Sequence, residues 1–183
     1  ALTDHDTTEG VPAFQAACKR VGITGVSGVE LSVDFSPGTM HLLGFFVDPA
    51  NESLQDALRS LREGREIRNR KILKALKTLK MELTWDEVAA LAGSDVIGRP
   101  HIAQAMMERG YVSNRQDAFK RFLAKGKPAY ADRFRLEPQV GVKLVRDAGG
   151  VCVLAHPFTL RLTPSKLRAC VAELAAMGLQ GIE

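Results

Sequence analysis

Val151-Cys152-Val153-Leu154-Ala155-His156-Pro157 joins a continuous apolar run to a histidine and a proline. Preceded by Gly149-Gly150, the run reads as a strand buried on both faces, of the kind found in parallel α/β sheets. Proline cannot continue the ladder and it restricts the residue before it, so His156 is expected at the mouth of the sheet, at the carboxyl end of its strand. In parallel α/β architectures, side chains at such ends converge on one face however far apart they lie in sequence. Polar residues at other strand ends therefore become candidates for the same site.

The remaining histidines occur in Thr3-Asp4-His5-Asp6, Met40-His41-Leu42-Leu43-Gly44 and Gly98-Arg99-Pro100-His101. His5 and His41 sit at the ends of predicted strands, as does His156. An imidazole between Asp4 and Asp6 can ligate a metal, with a carboxylate beside it to orient the ring or bind a second ion. Glu30 interrupts the apolar pattern of the predicted strand Gly25 to Val33, where an unpaired carboxylate is costly. It reads as a bridging metal ligand. His41 follows the turn Ser36-Pro37-Gly38-Thr39 and opens a strand to Val47, so it is either a ligand or a hydrogen-bonded histidine at a strand edge. Imidazole and carboxylate without thiolate suit manganese, iron or zinc. No Gly-rich phosphate loop is present, which argues against nucleotide-triphosphate chemistry.

Outward from these motifs, Val11 to Val21 carries apolar residues at helical spacing, and Pro138 to Ala148 reads as a second such helix. Residues 52 to 127 have a different character. They hold 16 Lys and Arg against 10 Asp and Glu, and the rest of the chain holds 9 against 11, so the positive charge belongs to this segment alone. Its first helix has a stripe at Leu54, Leu58, Leu61, Ile72, Leu76 and Leu79, with Arg65 and Arg68 in the same stripe. Either the helix kinks near Gly64 and exposes the arginines, or they face a cleft and hold an anion. Thr84 and Glu87 form a capping box for a second helix, to Leu91. Pro100 suits the first turn of a third, which runs to Gly110, and Asn114 caps a fourth ending near residues 124 to 126.

Cys18, Cys152 and Cys170 are odd in number and widely spaced, which supports neither a disulfide framework nor a zinc knot and implies a reducing cytoplasm. No stretch approaches the ~20 apolar residues of a membrane span, and the first residues given lack the basic-then-apolar order expected of a signal peptide. Ala1-Leu2-Thr3 reads as the tail of one strand and Gly178-Leu179-Gln180-Gly181-Ile182-Glu183 as the start of another, so an internal piece of a longer protein is expected.

Taken in order, Thr3-Asp4-His5-Asp6, Gly28-Val29-Glu30, His41-Leu42-Leu43-Gly44 and Leu154-Ala155-His156-Pro157, with a basic helical insertion between the last two, resemble the PHP (polymerase and histidinol phosphatase) phosphoesterases. Within that family the chain looks most like the bacterial branch acting on nucleoside 3',5'-bisphosphates and the 5' ends of short RNAs. The resemblance implies an α/β fold, a distorted (β/α)7 barrel formed by 1–51 and 128–183, with an all-helical insertion over 52–127. It implies that His5, Glu30, His41 and His156 are metal ligands, with His5, Glu30 and His156 catalytic. It also implies up to three divalent ions in the intact protein, manganese foremost and iron or zinc as alternatives, that activate a water for hydrolysis of phosphate monoesters. The family's His-x-His pair on the first strand and Asp-x-His on the last have no match here, as though both barrel ends were missing.

Arg99 and His101 are candidates for gripping phosphate, because guanidinium matches phosphate oxygens in a bidentate way. Tyr130 and Arg133 could stack on a base or hold a second phosphate, and Arg65 and Arg68 could hold an anion. The expected partner is a nucleotide or short oligonucleotide rather than a membrane. Two other readings stay open: a small-metabolite phosphatase of the histidinol phosphate type, and a non-catalytic nucleic-acid-binding module using the basic helices.

Overall fold

A computed structural model describes residues 1–93 and 96–183. Among these, four strands form one sheet in the order β1 (Gly28–Val33), β2 (Met40–Phe45), β3 (Val151–Leu154) and β4 (Gly181–Ile182). β1 pairs with β2, and β2 with β3, in antiparallel fashion; only β3 and β4 are parallel. The sheet is thus mixed rather than parallel around β2. Alternating burial has a period of two in either direction, so the pattern that marks a strand says nothing of its polarity. A short link explains the outcome, because the turn at 36–39 can only return the chain antiparallel.

That reversal decides where His41 goes. It lies at the amino end of β2, not at a carboxyl end, yet β2 runs against its neighbours and brings this end beside the carboxyl ends of β1 and β3. Ser32 stands opposite His41 and Leu42 opposite Leu154, and the Ala155 amide donates to the His41 carbonyl at 3.1 Å. Glu30, two residues before Ser32, shares its face and lies diagonal to His41, within reach of a long side chain.

The helices are α1 (Val11–Arg20), α2 (Glu52–Thr78), α3 (Trp85–Ala92), α4 (Arg99–Glu108), α5 (Arg115–Ala118), α6 (Pro138–Asp147) and α7 (Pro164–Met177). α5 continues as a π turn over Phe119–Leu123. The chain divides into two compact units, Ala1–Leu61 with Arg135–Glu183, and Arg62–Phe134.

In the first unit Val29, Leu31, Leu42 and Leu154 of the sheet are buried with Leu54, Leu58 and Leu61 of α2 and with Val142 and Val145 of α6. Each such side chain contributes about 2 kcal/mol by leaving water. The turn between β1 and β2 is pressed against the loop after β3. A Cβ on Gly38 would stand 2.2 Å from the Thr159 carbonyl oxygen, so only glycine allows that approach.

In the second unit Ile72 and Leu76 pack with Val88, Ile102, Met106 and Leu123. Thr84 and Glu87 form the expected capping box, and the Asn114 side chain caps α5. α2 is one continuous helix, and Arg65 and Arg68 are buried within it, which overturns the exposed reading of that stretch. Arg68 donates from Nε and Nη2 to Asn69 Oδ1 at 3.1 and 2.9 Å, and Asn69 donates in turn to the Ile97 carbonyl. Leu79 departs from the stripe: it lies beyond the last residue of α2 and is exposed.

Candidate metal centre

The Glu30 carboxylate is the hub of the first unit's polar face. Oε1 lies 2.8 Å from His41 Nδ1 and 2.9 Å from His156 Nε2, and Oε2 lies 3.5 Å from His5 Nδ1. His41 Nδ1 and His156 Nε2 are 3.3 Å apart. Ligand atoms of His5, Glu30 and His41 all fall within 4.8 Å of one another.

Burial alone would raise the Glu30 carboxyl. The hydrogen bond from His41, the charge of His5 and the hydrogen bond from His156 outweigh it and hold the pKa at about 2, against an ordinary 4.5. A permanently ionised carboxylate surrounded by imidazole nitrogens is a donor set of nitrogen and oxygen only. It fits a borderline or hard divalent cation and not a thiophilic one.

A pH effect follows with a definite sign. The folded value lies below the unfolded one, so ionised Glu30 stabilises the fold fully above about pH 4.5, and the contribution fades as pH falls toward 2. Acid unfolding of the chelator-treated protein should therefore steepen in that window. Glu30→Gln should flatten it, as read by circular dichroism against pH.

Backbone strain marks two of the positions. His156 has φ 29°, ψ 66°, away from the extended region favoured before proline, and Asp6 has φ 56°. Asp6 is fully buried, and its carboxylate accepts the Ser32 amide at 2.8 Å and the Ser32 hydroxyl at 2.9 Å. The Asp6 amide donates to the Glu30 carbonyl, and the Glu30 amide to the Asp4 carbonyl. Asp6 thus ties the His5 segment to β1.

No family model matches the chain. A 3',5'-nucleoside bisphosphate phosphatase from Chromobacterium violaceum is 33% identical over 184 residues, covering all of this chain and 65% of that protein. A 5'-3' exoribonuclease from Haemophilus influenzae is 32% identical, again over the whole chain and over 66% of its own length. A solved structure from Bifidobacterium adolescentis, described as a metal-dependent phosphoesterase, superposes with a TM-score of 0.84 at 31% identity, covering 99% of this chain and 64% of that one. The chain belongs to the PHP family of phosphoesterases.

In this PHP chain the sheet brings together four of the expected residues, His5, Glu30, His41 and His156. Asp4 and Asp6 do not join them: Asp4 is outside the cluster found among the described residues, and Asp6 turns to Ser32.

Of the residues expected to bind substrate, Arg99 donates from Nη1 to the Leu123 carbonyl at 3.2 Å and lies 5.8 and 5.9 Å from the rings of Phe119 and Tyr130. His101 Nδ1 accepts the Gly98 amide at 3.1 Å and so caps α4, which leaves Nε2 for other contacts. Arg133 is half-buried, its amide bonded to the Asp132 carboxylate.

Two residues of the PHP chain have no signal in the sequence. Thr159 Oγ1 lies 3.1 Å from His156 Nδ1, and the Glu183 carboxylate accepts the His156 amide at 3.2 Å. A hydroxyl three residues past a histidine has no pattern that would separate it from an ordinary loop threonine. Glu183 is visible as a charge after β4, but its partner is a backbone amide.

Proposed function

We propose that the chain forms part of a metal-dependent phosphoesterase that hydrolyses phosphate monoesters on nucleotides, such as nucleoside 3',5'-bisphosphates or the 5' ends of short RNA. One observation carries the reading: a single carboxylate, held ionised, with three imidazoles directed at it from separate segments. The printed activities of the relatives supply the substrate class. The chain spans about two thirds of those relatives, so the activity proposed is that of the whole protein.

In this reading 1–51 and 128–183 belong to a distorted (β/α)7 barrel and 52–127 to its helical insertion. His5, Glu30, His41 and His156 would hold divalent cations, manganese first among them. When bound, such ions supply Lewis-acid stabilisation of phosphoryl oxygens and a water acidified enough to attack at neutral pH. The chain's own part is to keep Glu30 ionised, to present the three imidazoles in fixed directions and to bury the carboxylate away from competing water. Arg65, Arg68, Arg99, His101, Tyr130 and Arg133 are proposed to bind the polyanion, with bidentate arginine contacts as the main source of affinity. No helix among the described residues is long and apolar enough to cross a membrane, and three free cysteines support a reducing compartment such as the cytoplasm.

The intact protein, purified without chelator, should carry stoichiometric manganese, iron or zinc and release phosphate from a 3',5'-bisphosphate with manganese stimulation. Lack of both would refute the enzymatic reading and leave the basic helices as a binding module. Within that assay His156→Ala should remove turnover, whereas Arg99→Ala should mainly raise KM. Equal losses of kcat from the two would dissolve the division between metal and substrate residues.

A further inference from the structure

We infer that Thr159 is the positioning residue that commits His156 to ligation through Nε2. The inference rests on the reading of His156 as a metal ligand given above. Thr159 Oγ1 has one proton and two lone pairs, and three groups stand around it: the Thr39 carbonyl at 2.8 Å, the His156 carbonyl at 3.0 Å and His156 Nδ1 at 3.1 Å. Carbonyls only accept, so the hydroxyl proton goes to one of them, the nearer being Thr39. Toward the imidazole Thr159 is then an acceptor, and Nδ1 carries the hydrogen.

The hydroxyl is itself held in place from both sides. The Thr39 amide donates to the Thr159 carbonyl at 3.0 Å, and the Thr159 amide to the His156 carbonyl at 3.0 Å. Gly38 permits this contact by lacking a side chain. The acceptor at Nδ1 is thus built on the β1–β2 turn and does not move with the ring.

Two acceptors compete for ring protons on His156, the Glu30 carboxylate at Nε2 (2.9 Å) and Thr159 at Nδ1. Without Thr159, the charged acceptor would favour a lone proton at Nε2, the tautomer that blocks ligation there. With it, Nδ1 has a fixed acceptor of its own, so the tautomer with its hydrogen at Nδ1 leaves the Nε2 lone pair facing a cation and the ring needs no reorientation. Partners of this kind on the far nitrogen of a ligating histidine set its tautomer and basicity.

The test uses full-length protein and two substitutions of similar size, Thr159→Val, which removes the acceptor, and Thr159→Ser, which keeps it. In the metal-free protein titrated with manganese, Thr159→Val should weaken binding roughly 10- to 100-fold and Thr159→Ser should restore most of it. With zinc as a diamagnetic probe, the His156 Nδ1 proton should be exchange-protected in the wild type and in Thr159→Ser. It should lose that protection in Thr159→Val. Wild-type affinity in a folded Thr159→Val protein overturns the inference, as does an unprotected Nδ1 proton in the zinc-loaded wild type. Should Thr159→Val fail to fold, the wild-type zinc spectrum and the affinity of Thr159→Ser still decide it. A wild type that binds neither ion refutes the functional reading instead, which separates the two failures.

Discussion

Replacing Glu30 with glutamine should lower kcat by about a thousandfold or more, equivalent to ~4 kcal/mol of transition-state stabilisation, and should strip the purified protein of most of its metal. The amide keeps the shape of the side chain and removes its charge. In the native site that charge meets three imidazole nitrogens at 2.8, 2.9 and 3.5 Å. Any cation placed among them would lose its anionic ligand. Elemental analysis of the variant separates this from a substrate effect: retained metal with normal KM and near-normal kcat would show that Glu30 is a structural acceptor for the histidines and nothing more. Folding should survive, since no described buried side-chain polar atom lacks a partner to begin with and the amide can still accept from His41.

A second large effect is expected at a residue with no side chain, in the turn between β1 and β2. Gly38→Ala would drive a Cβ to 2.2 Å from the Thr159 carbonyl oxygen and 2.5 Å from the Leu160 carbonyl carbon. Both obstacles are backbone, so neither can swing aside as a side chain could. Overpacking of this sort costs about 1–3 kcal/mol, visible as a lowered midpoint in denaturant. The relief open to the chain is to push the 157–160 turn outward, and that turn carries Thr159 and follows His156. Metal affinity should therefore fall along with stability, even though Gly38 touches no ligand. A variant that loses stability yet binds manganese as the wild type does would mean that the turn can shift without carrying His156 with it.

The parts of the molecule written in side-chain periodicity were legible. The leucine stripe of α2, the apolar run of β3, the proline after His156 and the capping residues Thr84 and Asn114 each produce a local rule that one sequence can display. Glu30 was legible for the opposite reason, as a charge where the rule asks for an apolar residue. The polarity of β2 was not, because alternation reads the same from both ends: His41 was read at the start of its strand, but nothing in the sequence showed that this end lies beside the carboxyl ends of β1 and β3. Asp6 was misplaced because a carboxylate beside a histidine suggests ligation, whereas its bonds to Ser32 depend on a residue 26 positions away. Arg65 and Arg68 interrupted the stripe and suggested exposure. The burial of Arg68 rests in part on Asn69, a residue with no distinguishing mark among the polar residues of a basic helix. α7 passed without an expectation, its stripe being shallow, with Leu174 its one buried residue.

His156 stands 126 residues beyond Glu30 and 115 beyond His41. During synthesis the first three donors therefore leave the ribosome long before the fourth, and the intervening helices can fold in the meantime. If these residues hold an ion as proposed, His5, Glu30 and His41 are made early enough to gather it, and His156 joins them only after the intervening helices have been synthesised.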